Sequence, residues 1–143
     1  MKTLATIFLS LFTICLAISC KKDTLSSKTD FLTNGSWYLL SQEFYLSDTP
    51  YIPVPLEACQ KDDRYIFQKD QTVNFTVGVR CDSMEQNLDG NWAFWNDEKI
   101  LAIVVGTQLD TTNIERLDEH SMVLTNSDVV GGALVKTRQT YQH

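Results

Sequence analysis

Basic residues are scarce in this chain: 12 Lys and Arg stand against 18 Asp and Glu, and no basic cluster follows Lys21-Lys22. Such a surface offers nothing to neutralise a phosphate backbone, which argues against a nucleic-acid partner. The acidity serves solubility and repulsion from anionic surfaces instead. Histidine is scarcer still, with only His120 and His143. No serine or cysteine therefore has a histidine base and an orienting acid at a recognisable spacing, and Gly-x-Ser-x-Gly is missing. His120 sits in the acidic turn Asp118–Ser121, where an exposed, charged hairpin tip explains it better than a metal ligand. The six glycines form no phosphate-cradling loop, and no calcium loop is present. There is no Cys-x-x-Cys, so neither a redox nor a zinc site is supported. The expectation is a protein without enzymatic activity, cofactor or metal.

Long apolar runs are also missing, with one exception at the start. Met1-Lys2 leads into Leu4–Ile18, fifteen residues interrupted only by Thr6, Ser10 and Thr13. A membrane-spanning helix needs about 20 apolar residues, so this run has the length and flank of a signal-peptide core. It ends in Leu16-Ala17-Ile18-Ser19-Cys20, followed at once by Lys21-Lys22. The pattern resembles a bacterial lipoprotein signal, although Ala17 holds the place where that family usually has leucine. The resemblance implies that residues 1–19 are removed and that Cys20 becomes a lipidated first residue. It also implies a lipid anchor in the outer membrane, with the domain facing the periplasm or the cell surface. Each buried CH₂ contributes about 0.8 kcal/mol, so an anchor of several acyl chains is effectively permanent.

Lys2 is the only charged residue before Cys20, so its loss takes the formal charge from −6 to −7. Residues 20–30 read as a polar tether in which Leu25 is the one apolar residue. Ten extended residues at about 3.3 Å each reach up to roughly 33 Å. Residues 31–143 form the domain, expected to be monomeric. With Cys15 lost in the signal and Cys20 acylated, Cys59 and Cys81 remain as a pair in an oxidising compartment, either bridged or as two free thiols.

After the tether the pattern is one of short strands, at Ser36–Tyr45, Arg64–Phe67, Thr72–Val79, Asn91–Trp95, Ile100–Val105, Asn113–Leu117, Ser121–Thr125 and Ala133–Tyr141. No amphipathic helix is predicted. Gln68–Gln71, Asn96–Lys99 and Asp118–His120 are short polar links, which imply sequential hairpins. Leu46–Glu57 holds all three prolines and cannot be an interior strand. It is either a lid over one end of the domain or a plain surface crossover. Eight evenly spaced strands make an all-β domain, either a closed antiparallel up-and-down barrel or a two-sheet β-sandwich. The barrel is favoured, because the cysteines lie too close together for an immunoglobulin framework and no tryptophan falls between them.

Asn34-Gly35-Ser36-Trp37 opens the first strand as Gly-x-Trp, and Arg138 lies on the last. Cys59, the paired Asp62-Asp63, Phe67, the turn Asp70-Gln71-Thr72, Cys81 and the second Gly-x-Trp at Gly90-Asn91-Trp92 follow in order. This series is similar to small lipocalin-like domain lipoproteins of Gram-negative bacteria, from about Phe31 to Tyr141. Gln71 departs from it by replacing the turn glycine. The resemblance implies that Arg138 packs on Trp37 to close the barrel, a contact worth about 0.5–2 kcal/mol as a cation–π pair.

Asp62 and Asp63 read as turn-capping carboxylates rather than as general acids. Asp23-Thr24-Leu25, Asp82-Ser83-Met84 and Asp110-Thr111-Thr112 resemble O-glycosylation triplets of exported proteins. Tyr38, Leu40, Tyr65, Phe67, Val73, Phe75, Val77, Trp92, Phe94, Ile103 and Met122 supply the apolar interior. Of these, Tyr38, Leu40, Phe67, Phe75, Trp92 and Phe94 are the candidate cavity lining for a small apolar or amphipathic ligand. The alternative is a packed, ligand-free barrel that acts as a protein-interaction module, for instance as an envelope inhibitor or assembly accessory. Replacing Cys20 by alanine is expected to move the chain from the membrane to the soluble fraction, with loss of acyl mass from the N-terminal peptide.

Overall fold

Apolar side chains recurring at every second position give most strands a face to bury, and curling a single sheet onto itself brings those faces together. The computed structural model describes residues 27–47 and 49–143. The expected signal peptide 1–19, Cys20 and the tether as far as residue 26 lie outside the described residues.

The elements are α1 (Lys28–Leu32), β1 (Ser36–Leu46), β2 (Ile52–Val54), β3 (Arg64–Phe67), β4 (Thr72–Thr76), β5 (Leu88–Trp95), β6 (Ile100–Val105), β7 (Gln108–Leu117), β8 (Ser121–Val130) and β9 (Ala133–Gln142). The sheet order is β2-β1-β3-β4-β5-β6-β7-β8-β9, with β1 paired to β9 as well. Every pairing is antiparallel. Eight strands thus form a closed up-and-down barrel, as expected, and β2 hangs outside the circuit. β1 makes this possible by changing partners along its length. Ser36–Tyr38 pair with β3, Gln42–Phe44 pair with β2, and the other edge pairs with β9 from Tyr38 to Leu46.

The two ends of the barrel differ. One carries α1 and the short links 68–71, 96–99 and 118–120. The other carries the long segments 47–63 and 77–87 and the tight turns at Gly106 and at Gly131-Gly132. The core sits at the first end: Leu32, Trp37, Phe67, Val73, Trp92, Leu101, Met122, Leu124 and Tyr141 form one buried cluster.

Several boundaries depart from the sequence expectation. The tether ends in a helix: Ser27 accepts from the Asp30 N–H at 3.0 Å as an N-cap, and Leu32 is fully buried. Lys28 donates to the Glu98 carbonyl, and Lys69 lies 3.0 Å from Asp30, so α1 is tied to two of the closing turns. The proline segment is a surface crossover rather than a lid, and its β2 tolerates Pro53 because it is an edge strand. Five strands are longer than expected: β1 and β9 gain one residue each, β5 starts at Leu88, β7 at Gln108, and β8 runs on to Val130. β4 stops at Thr76, since the next backbone groups turn toward other partners.

Gln71 is held at φ +69°, the left-handed conformation that a glycine would take without a steric penalty. The turn keeps its bonds, with Gln71 N–H to the Gln68 carbonyl at 3.0 Å and Gln68 N–H to the Thr72 carbonyl at 2.9 Å. Gln71→Gly is therefore expected to stabilise the fold by about 0.5–1 kcal/mol, read as a higher urea midpoint at unchanged m-value.

Candidate functional site

The closed end is built on two tryptophans used in the same way. Trp37 is 0% exposed, and its indole N–H donates to the Leu32 carbonyl of α1 at 2.9 Å. Trp92 donates to the Gln68 carbonyl of the β3–β4 turn at 3.0 Å, and its backbone N–H donates to Gln71 at 2.8 Å. Each ring is buried, and each polar tip satisfies a carbonyl that closes the end.

The expected contact between Trp37 and Arg138 is not formed. The ring against Trp37 is that of His143, with centroids 3.9 Å apart. The strand register explains the difference, because Arg138 stands opposite Glu43, six residues along β1 from Trp37. Its neighbour Gln139 lines the interior, so Arg138 points outward. There it bonds Glu115 at 2.7 Å and 3.1 Å, reaches Glu43 at 3.4 Å and lies 5.7 Å from the Tyr51 ring centroid. The two carboxylates clamp β7, β9 and β1 on the outer face, and the bonds to Glu115 raise the guanidinium pKa further.

Above the tryptophan floor the interior is hollow. A cavity of about 560 Å³ is lined by Tyr65, Val73, Phe75, Leu88, Ile103, Val105, Gln108, Leu109 and Asp110. That volume falls within the range of roughly 300–1,000 Å³ typical of small-molecule sites. A smaller space of about 40 Å³ lies deeper and shares Tyr65, Ile103 and Asp110 with the larger one. Of the six residues expected to line a cavity, Phe75 lines the large space and Phe67 the small one. Trp92 and Phe94 belong to the packing beneath. Tyr38 lines a shallow depression at the closed end with Gly35, His120 and His143, and Leu40, at the β1 bulge, is 52% exposed.

Three polar groups interrupt the apolar wall, namely Tyr65, Gln108 and Asp110. Burial, then the Asp110 and Asp63 carboxylates, push the Tyr65 phenol pKa up. Burial raises Tyr141 as well, with Tyr65 and Asp110 adding to it. Both phenols are therefore neutral hydrogen-bonding groups at any physiological pH. Sequence reasoning missed Gln108 and Asp110 because polar residues at alternate positions erase the pattern by which a strand is recognised. The signal that remained is their spacing of two, ahead of Thr112 and Ile114 on the same strand.

At the mouth, Cys59 and Cys81 are bonded, with Cα atoms 5.3 Å apart, so the expected pair is a disulfide. Beside it, the Gly78 N–H donates to Asp63 at 3.1 Å and the Val79 N–H donates to Asp62 at 2.9 Å. The paired aspartates thus hold the 77–87 segment against the segment before β3. A Cβ on Gly78 would collide with the Asp62 carboxylate, which is why a glycine stands there. Burial is the largest cause of a raised pKa at Asp63, and Glu85 and Asp62 add to it. Glu57, Cys59 and Cys81 come together as a possible ligand set, but both sulfurs are consumed by the disulfide. His120 has an 84% exposed side chain and faces Glu119 at 3.4 Å, as a hairpin tip should.

Replacing both Cys59 and Cys81 by serine is expected to cost about 3 kcal/mol in chemical denaturation, from the chain entropy returned to a loop of 22 residues.

No curated protein matches the chain. Among solved structures it is similar to a lipocalin-like protein from Bacteroides uniformis, at 16% identity and TM-score 0.48 over 76% of this chain and 94% of that one. It is also similar to a deswapped triple mutant of bovine odorant binding protein, at 15% identity and TM-score 0.44 over 76% of this chain and 72% of that one. The family model for the lipocalin-like domain matches residues 33–124, well over half of the chain. With its closed eight-stranded barrel and its hollow upper half, this chain belongs to the lipocalin-like domain family.

Proposed function

We propose that this protein is a non-enzymatic, lipid-anchored envelope protein whose barrel holds a small hydrophobic or amphipathic molecule. The observation that carries the reading is the 560 Å³ cavity, whose wall is mostly apolar and which lies above a packed floor. Families of this type typically bind small molecules rather than transform them, which supports the same reading. An apolar guest gains by leaving water there, and a few fixed polar groups set its orientation.

The anchor rests on the Cys20 signal, and the placement in the outer membrane rests on that anchor. α1 ties the start of the domain to the closed end, so a lipid on Cys20 would tether that end and leave the mouth free.

A protein-interaction role has one observation in its favour. Val79, Met84, Val129 and Val130, at the mouth end, are 67%, 85%, 72% and 63% exposed. Such a rim suits either the entry of an apolar guest or contact with another surface. The cavity favours the first.

Titration of the full chain with the neutral fluorophore Nile red tests the proposal. Saturable one-to-one binding is expected. Val105→Trp, which places an indole in the cavity, is expected to weaken it at least tenfold while leaving the β circular-dichroism spectrum unchanged. A barrel that binds no neutral apolar probe would overturn the reading.

A further inference from the structure

The cavity is electrostatically one-sided. Its large and small parts are lined by Tyr, Gln, Thr and apolar residues together with a single charged group, Asp110. Among the described residues, no lysine, arginine or histidine lines either part. Asp110 sits where the two parts meet, and it is solvent-accessible. It has neither a hydrogen-bond partner nor an ion-pair partner among the described residues. Asp62 and Asp63, by contrast, accept from backbone N–H groups, Asp118 is paired with Arg116, and Glu43 and Glu115 with Arg138.

Beside Asp110 stand aromatic groups. Tyr65 and Phe75 both line the large cavity, with ring centroids 4.8 Å apart, and Tyr65 meets Tyr141 edge-on at 6.0 Å. A carboxylate next to aromatic faces, at the inner end of an apolar chamber, is complementary to an alkylammonium group. The carboxylate accepts its N–H donors, and the rings attract its charge. A guest carboxylate placed there would instead face Asp110 with no cation to screen the pair.

Building on the cavity reading, we propose that the ligand of this barrel is an amphiphilic cation: an apolar body lying along Phe75, Leu88, Ile103 and Val105, with a protonated amine paired to Asp110 at the inner end. Gln108, near the mouth, is left to hydrogen-bond a polar group on the trailing end.

The test is calorimetric titration of the full chain with octylamine, octanol and octanoate, which share one body and differ in head group. Octylamine is expected to bind about tenfold more tightly than octanol, with octanoate weakest. Asp110→Asn, close in size, should remove the advantage of the amine and leave octanol unchanged. Asp110→Lys should favour octanoate instead. Equal affinity for amine and alcohol in the unmodified chain would overturn the cationic assignment while leaving the cavity reading intact, as would an amine preference that survives Asp110→Asn. Failure of all three to bind would overturn both.

Discussion

The fold depends on an indole buried without loss of its hydrogen bond. Trp37 fills the closed end of the barrel, and the Leu32 carbonyl takes its N–H. Without that acceptor, an indole N–H in an apolar core would carry a desolvation cost of about 1–3 kcal/mol. α1 exists at the place where this carbonyl is required, and it is held there by Ser27 at its cap, by Lys28 on the Glu98 carbonyl and by Asp30 with Lys69. Trp92 repeats the device against the β3–β4 turn. The two Gly-x-Trp sequences are thus two instances of one solution, a ring that plugs the barrel and a tip that fastens the element closing it.

The opposite end follows another logic. Eight strands enclose a space that side chains can just fill or that can hold one small guest, and the choice is made layer by layer. Low in the barrel, Phe67, Trp92, Leu101 and Met122 fill it. Higher up, the inward positions are Val73, Phe75, Val105, Gln108 and Asp110, and the filling stops. The mouth keeps its shape through covalent and polar staples rather than through packing. The Cys59–Cys81 bridge and the aspartate bonds to Gly78 and Val79 hold together the two long segments that a small core could not order.

Much of the barrel was legible in the sequence because its strands alternate and its links are short. What was not legible has a consistent cause. Gln108 to Thr112 extends β7 with polar residues on the inward face, a pattern that reads as a loop. Ser27 to Asp30 reads as the end of the tether because a five-residue helix shows no periodicity, and only its cap and its docking make it stable. Arg138 was assigned to Trp37 on resemblance. The register and the bulge between Leu39 and Ser41 place it on the outer face, where two carboxylates hold it.

The sequence by itself determined the strand-rich domain, its hairpin order, the cysteine pair and the family. These follow from local alternation, turn chemistry and a short series of fixed residue types. Only the tertiary structure decided which side chains share the hollow part of the barrel, that Asp110 stands in it with no hydrogen-bond or ion-pair partner among the described residues, and that the mouth is stapled while the floor is packed. Those properties arise when β1 closes on β9 and residues far apart in the chain come to face one another, and the register of that closure is written in no single segment.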